Sequence, residues 1–487
     1  MALPPLTVTR LAQKFVSDDR RIIARLFDPG GEARIRAVVD RVLSLSEEEI
    51  ASVLARTLRR YNARHGDVGE IFEDHFNELT KEFEPPPGLS RERRLLIGAY
   101  FTMEYSVESA ALFNPSIVPH PSQKGVPGGS LRFVMSLRAT GEGHISSIVF
   151  RTGVIDGSGG IRFDVPGRYI QRLKPVRDRQ IEKKWLFRKL IEMGAYNDAA
   201  QAVLDRLPQT FTSVELDRAV EEVRQTTSAP DMYEEAVTNI CWVARSNYLL
   251  QYEPGTDPSS VVIFPATENE SRGIEDARLV RFVDDDGRVR YYATYTAYNG
   301  FRILPQLLET PDFGTIRVRT LHGKYAQNKG FALFPRKLDG WYMMLARLDG
   351  ENNYLMKSPD IAFWNDAVLL QAPEYPWEFV QIGNCGSPLE TEEGWLLLTH
   401  GVGPMREYCI GASLLDLEDP SKVLGHLPEP LIVPTDEERE GYVPNVVYSC
   451  GALIHAGRLI IPYAMADSAT SFASVPVDDL LAHLSAE

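Results

Sequence analysis

Cysteine is scarce in this chain: four in 487 residues, Cys241, Cys385, Cys409 and Cys450, far apart and without a Cys-x-x-Cys pair. That spacing suggests neither a disulfide framework nor a thiolate zinc site. Isolated buried thiols in a reducing compartment are the simplest account. Long apolar runs are also missing: none approaches the roughly 18 residues of a membrane span, and the first residues hold no apolar signal core. A cytoplasmic location without a membrane partner is the resulting expectation. Positive charge is in deficit. Lys and Arg number 52 against 67 Asp and Glu, a formal net charge of -15. This argues against nucleic acid or an anionic surface as the main partner and leaves neutral ligands such as sugars open. No residue cluster has metal-ligand spacing, so no metal is expected.

What is present is ordinary globular composition, 44% apolar and 24% charged, in a length that allows two or three domains or one large domain with additions. Residues 1–110 read as helical. Ser46-Glu-Glu-Glu49 is a capping box followed by Ile50, Val53, Leu54 and Leu58 at helical spacing. A second helix is expected over Glu70 to Phe83, and a third from Ser90 towards Ala111. Residues 111–168 turn strand-like, through Leu131 to Arg138 and Ile145 to Arg151. Helical patterning returns over 169–252, with turn signals at Leu207-Pro208 and Ala229-Pro230. From 253 to 487 short apolar runs recur between Gly, Asp and Pro, which reads as a propeller, barrel or sandwich. Each helical segment is amphipathic and small, so the two are expected to pack together as one layer.

The chemistry concentrates in Glu268-Asn-Glu-Ser-Arg-Gly-Ile-Glu-Asp-Ala-Arg-Leu-Val-Arg-Phe282, where four carboxylates and three arginines surround Gly273. A strand, an Asp-Gly turn and the strand Val289 to Tyr298 follow, which is a hairpin signal. Gly273-Ile-Glu-Asp276-Ala-Arg278 followed by Tyr-Ala-Thr-Tyr-Thr-Ala resembles the signature of glycoside hydrolase family 130, which has proline where this chain has Ala277. That family contains mannosylphosphorylases and β-1,2-mannosidases on a five-bladed β-propeller. Asn328-Lys329 with its Leu-Phe-Pro strand, and Arg347, resemble the family's basic positions. Gly383-Asn-Cys-Gly-Ser-Pro with Gly394-Trp-Leu and His400-Gly401 matches another stretch. Tyr408 to Pro420 and Tyr463-Ala-Met-Ala-Asp467 complete the pattern.

The resemblance implies a mainly β fold: a five-bladed β-propeller with an N-terminal helical region and a helical insertion after the first blade. It implies inverting cleavage of β-mannosides with Asp276 as general acid, its proton relayed through a hydroxyl of the bound mannose. Asn114, Glu275, Arg278, Lys329, Arg347, His400, Arg406, Tyr408 and Asp467 are the expected substrate-binding set, and manno-oligosaccharides the expected partner. Glu390 stands where the phosphorylases commonly carry lysine. An anion there repels phosphate and could activate water, which favours hydrolysis with Glu390 as base. The carboxylates at 437, 438 and 440 are further candidates for that role. Arg406 could replace the missing cation, so phosphorolysis with inorganic phosphate as co-substrate is the alternative. No other cofactor is expected. A non-catalytic glycan-binding propeller is the rival class, against which the adjacent Glu275-Asp276 pair argues. A homo-oligomer stays open.

Overall fold

The computed structural model describes residues 6–485 apart from 81–84, 168, 173–174, 177–179, 227–229, 253–254, 268–269 and 301–302. Five sheets of four or more strands, antiparallel but for one parallel pair, hold most of the described strands. Taken by first strand, they start at Ala111–Pro119, Ile274–Val283, Lys329–Leu333 and Gln381–Asn384, and the fifth is built around Arg458–Met465. The fold is mainly β with helices added. Successive sheets touch one another in turn. Ile274–Val283 lies against both Ala111–Pro119 and Lys329–Leu333, and the latter against Gln381–Asn384. Tyr408–Leu415 meets Val447–Tyr448, and Arg458–Met465 returns to Ala111–Pro119, so the contacts form a circuit.

Hydrophobic alternation and dense turn signals explain the sheets. Leu396, Leu398, Ile410, Ala412, Leu459, Ile461, Ala473 and Val475 share one core between the fourth and fifth sheets. Phe282, Tyr292, Leu333, Met344 and Trp364 share another between the second and third. Burying large side chains of this kind contributes on the order of 1.5–3 kcal/mol each.

The N-terminal hundred residues depart from the helical expectation. Thr9–Phe15, Asp18–Leu26 and Thr102–Glu108 are strands flanking four helices. Leu11, Gln13 and Phe15 alternate inward, and this period of two outweighs helix propensity once an edge is available to pair with. That edge is Ala469–Pro476, the last strand of the chain, with Leu11 opposite Phe472. The capping box is present as read, Ser46 accepting from the Glu49 N–H and Glu49 from the Ser46 N–H. The helix from Ser90 stops at Tyr100 rather than Ala111. Phe83 and Ala229 lie outside the described residues.

The two helical segments do not share a layer. Helices Glu32–Leu43, Glu47–His65, Val68–Leu79 and Arg91–Tyr100 bury Ile35, Val39, Ile50, Phe76 and Ile97 in a core of their own. The helices between 183 and 245 instead bury Leu186, Val203, Leu216 and Ile240 with Phe150, Leu279, Tyr291 and Val318 of the first two sheets. Each segment therefore finds its apolar partner separately. Among the described residues no helix is long and apolar enough to cross a membrane.

The N-terminal strand also ties down a distant loop. Arg10 Nε and Nη2 each donate to the Glu438 carboxylate at 3.1 Å, and Nη2 donates to the Val433 carbonyl at 2.7 Å. Glu438 is buried and also accepts from the Tyr463 hydroxyl at 2.5 Å. Arg10→Ala should cost about 1.5–3 kcal/mol, the range for hydrogen bonds to charged groups. A lower urea midpoint with an unchanged slope is the expected reading. An unchanged midpoint would show that the loop does not depend on the strand.

Candidate active site

One pocket of about 150 Å³ collects side chains from all five sheets. Its geometry begins with backbone irregularities in the inner strands. The pairing register shifts between Phe113 and Ser116, between Glu275 and Arg278, and between Lys329 and Ala332. A bulge re-aims a side chain out of the regular in-out alternation. Asn114 (φ 48°) and Asp276 (φ 56°) sit inside two of these bulges, and Asp467 (φ 50°) occupies the turn between the last two strands of the chain. Short Asn and Asp side chains tolerate this left-handed conformation better than most. Gly273 (φ 117°) precedes the site because a Cβ there would meet Ser146 Oγ at 2.5 Å.

Asp276 Oδ1 accepts from Asn114 Nδ2 at 2.6 Å and lies 3.6 Å from Arg138 Nη1. Glu275 accepts from Arg138 Nη2 at 2.8 Å, and Lys329 Nζ stands 3.9 Å from its other oxygen. Arg278 Nη2 donates to the Tyr448 hydroxyl at 2.5 Å. Arg406 lies over the Tyr408 ring, 5.7 Å from its centre, and that ring stacks on His400 at 6.0 Å.

The imidazole of His400 has a defined tautomer. Nδ1 is 3.2 Å from the Asn384 carbonyl, so it donates. Nε2 then accepts from Gln381 Nε2 at 3.0 Å and Arg347 Nη1 at 3.3 Å. Burial, then the charges of Arg347 and Arg278, push its pKa well below the ordinary value, so the ring is neutral. Gly383 makes room for it, since a Cβ there would lie 2.6 Å from the ring.

The carboxylates differ from one another. Burial alone would raise Asp276, but Arg138, Arg278, Lys329 and the Asn114 hydrogen bond outweigh it and hold the group below the usual range. Asp467 goes the other way: burial, then the charge of Asp276, push it up to about 6. Among the described residues the buried Nε atoms of Arg138, Arg278 and Arg347 and Oδ1 of Asn114 have no hydrogen-bond partner. Unmatched buried polar atoms gathered on one cavity are groups that a polar ligand would satisfy.

Ten of the eleven residues singled out in the sequence meet here: Asn114, Glu275, Asp276, Arg278, Lys329, Arg347, His400, Arg406, Tyr408 and Asp467. Glu390 does not. It is exposed on the two-residue strand Leu389–Glu390 and takes a forked ion pair from Arg336 at 2.7 Å, with that guanidinium lying over Trp395. The expectation of Glu390 as a water-activating base is therefore corrected, because its carboxylate is spent on a surface arginine away from the pocket. Of the other carboxylates considered, Glu438 is committed to Arg10 and Tyr463, and residues 437 and 440 do not line the pocket. Glu268 and Asn269 lie outside the described residues. Sequence reasoning missed Arg138, Asn384 and Tyr448. A lone arginine at the end of the apolar strand Leu131–Thr140 was the available signal for the first. Among the described residues no group of three or more His, Cys, Asp or Glu side chains is arranged to hold a metal ion.

Comparison with known proteins fits this arrangement. Residues 254–486 match the family model Glyco_hydro_130, described as beta-1,4-mannooligosaccharide phosphorylase. A 1,2-beta-oligomannan phosphorylase of Thermoanaerobacter sp. (strain X514) is 34% identical over 225 residues, which is 44% of this chain and 72% of that protein. The chain belongs to glycoside hydrolase family 130. A beta-1,2-mannobiose phosphorylase of Listeria innocua serovar 6a is 30% identical over 233 residues, 46% of this chain and 64% of that protein. The solved structure of a beta-1,2-mannobiose phosphorylase from Listeria innocua with beta-1,2-mannobiose is 21% identical. It has a TM-score of 0.45 and covers 79% of this chain and 94% of that one. Within this family 130 chain, Asn114 and Arg138 reach the pocket from outside the stretch that matches the family model.

Asp467 gives a stability test. Its folded pKa of about 6 lies above the ordinary 3.8, so the folded state binds the proton more tightly. Its contribution is present at low pH and is lost as pH rises through about 6. Asp467→Asn should therefore stabilise the protein at pH 7–8 by at most about 3 kcal/mol, less for a partly exposed group, and by almost nothing near pH 4. Melting curves at both pH values check this. Equal shifts at the two would remove the electrostatic explanation.

Proposed function

We propose that this chain is a β-mannoside phosphorylase, cleaving manno-oligosaccharides with inorganic phosphate and inversion at the anomeric carbon. The observation that carries it is the charge of the pocket. Arg138, Arg278, Lys329, Arg347 and Arg406 face Glu275, Asp276 and Asp467, five cations against three carboxylates. The excess is positive in a chain of net charge -15. A phosphate dianion is the co-substrate such an excess suits, and arginine forks match its oxygens. The named activities of the relatives point the same way, and the loss of Glu390 from the site takes away the main reason for hydrolysis.

In this reading a phosphate oxygen bonds to the anomeric carbon while the carbon–oxygen bond to the leaving sugar breaks. The leaving oxygen takes the proton held at Asp276, through a hydroxyl of the bound mannose, and α-mannose 1-phosphate departs. Three of these cations, Arg138, Arg278 and Lys329, also keep Asp276 ionised in the unloaded pocket. Arrival of the dianion offsets them, so phosphate binding and protonation of the acid are coupled. Asp467, pushed up to about 6 by burial and by the charge of Asp276, is the neighbouring carboxyl whose protonation answers to the same balance. The five sheets are read as blades of a propeller with this pocket near its axis. The N-terminal helical region and the helical segment 169–252 are read as additions to it.

Product analysis tests the proposal. β-1,2- and β-1,4-mannobiose incubated with phosphate should yield mannose 1-phosphate, and none should be consumed without phosphate. Free mannose formed at the same rate in phosphate-free buffer would overturn it. Asp276→Asn should lower turnover about 10²–10⁴-fold with the fold intact. Arg347→Ala should raise the KM for phosphate about 10–100-fold, in line with one lost charge-assisted hydrogen bond. A near-normal rate in the first variant or a normal phosphate KM in the second would remove that residue from its role.

A further inference from the structure

The pocket of about 150 Å³ is small beside the roughly 300–1,000 Å³ of a typical ligand site. It encloses one sugar ring, so the ring beyond the scissile bond has to lie on the rim. The rim there carries an unusual feature. Tyr442 is 73% exposed, and its ring stacks on His144 with centroids 5.8 Å apart and planes at 27°.

The position of the stack follows from the chain around it. Tyr442 precedes Val443, which lines the pocket and whose N–H donates to the Ala466 carbonyl at 3.0 Å, next to Asp467. His144 stands in the short turn Glu142–His144, directly after the strand Leu131–Thr140 that delivers Arg138. The two rings therefore close over the junction of the fifth and first sheets, beside two residues of the pocket wall.

The loop presenting Tyr442 is anchored on both sides. Before it, Glu438 is held by Arg10, Tyr463 and the Thr435 N–H at 3.0 Å. After it, Asn445 accepts from Arg439 Nε at 3.0 Å, and its carbonyl accepts from the Tyr408 N–H at 2.9 Å. Gly441 lies so close to Ala466 that a Cβ would stand 2.6 Å from its carbonyl oxygen. An aromatic ring left in water on an anchored loop, one residue from the pocket wall, does nothing for the pocket's charge. It does offer a flat π face to the C–H face of a pyranose, whose edge hydroxyls stay solvated. Fixing such a face in advance lowers the ordering cost of binding.

We propose that the Tyr442–His144 stack is the platform for the sugar on the leaving-group side of the scissile bond, and so sets acceptor preference. The proposal rests on the phosphorolysis reading, and the test separates the two. In the synthetic direction, with α-mannose 1-phosphate as donor and mannose or β-1,2-mannobiose as acceptor, Tyr442→Ala should raise the acceptor KM about tenfold. The donor KM and kcat should stay near wild type. Tyr442→Phe should keep the acceptor KM, and His144→Ala should raise it less than Tyr442→Ala. Melting curves confirm folding, and should Tyr442→Ala not fold, Tyr442→Ser and His144→Ala carry the same comparison. An acceptor KM within about twofold of wild type in the folded Ala or Ser variants overturns the platform, as does an equal rise in donor KM. A wild-type chain that hydrolyses mannosides without phosphate overturns the phosphorolysis reading alone. The same variants then decide the platform by the KM of mannobiose hydrolysis.

Discussion

Everything at the centre of this molecule depends on holding five cations in a space that would otherwise drive them apart. Each like-charge contact at about 4 Å costs roughly 4 kcal/mol at an effective dielectric near 20. The protein offsets this by giving most of the cations an anchor that uses only part of its donor capacity. Arg138 is clamped by Glu275 and lies over the Phe113 ring, Arg278 donates to Tyr448, and Arg347 leans on the neutral His400. Two of those three anchors carry no full charge. They fix direction without cancelling the field, and Nε of all three arginines stays unmatched. A site meant only for structural ion pairing would neutralise these groups, whereas here the positive excess is preserved.

That preservation is expensive for the backbone, and the sheets absorb it. Non-glycine residues at positive φ cost on the order of 1–3 kcal/mol each and persist only where their surroundings over-determine them. Asn114 and Asp276 are such residues, and the strands that carry them are paired in register on both sides of the bulge. The polar contact between them, Asn114 Nδ2 to Asp276 Oδ1, joins two different sheets. At Asn114, Asp276 and Asp467 this backbone conformation serves side chains that enter the pocket.

The sequence made the strand-rich second half, the helical patterning within 169–252 and ten pocket residues legible, because motif spacing and apolar alternation are local. It misled where an effect was non-local. Thr9–Phe15 has too few residues to declare itself, and its strand state is dictated by an edge more than 450 residues away. Glu390 occupies a suggestive alignment position, yet Arg336, 54 residues upstream, takes its carboxylate. Arg138 carries no motif at all, and its importance comes from the turn of a strand that places it against Glu275 across 137 residues. Charge balance in a pocket is a property of the assembled set, so no single stretch could report the cation excess.

The stretch that matches the family, 254–486, does not by itself build the pocket. Asp276 takes a hydrogen bond from Asn114 and an ionic contact from Arg138, both on the sheet that precedes that stretch. The loop bearing Tyr442 is fixed by Arg10, further upstream still. Thr9–Phe15 pairs with Ala469–Pro476, so strands far apart in the sequence hold the same sheet. A fragment starting near 254 would keep Lys329, Arg347, His400 and Asp467 while losing two of the partners that set the charge state of Asp276. With Asn114 and Arg138 gone, two of the groups that hold Asp276 ionised disappear, and burial is left to act against fewer cations. The proton affinity of Asp276 is therefore a property of contacts made by the whole circuit of sheets.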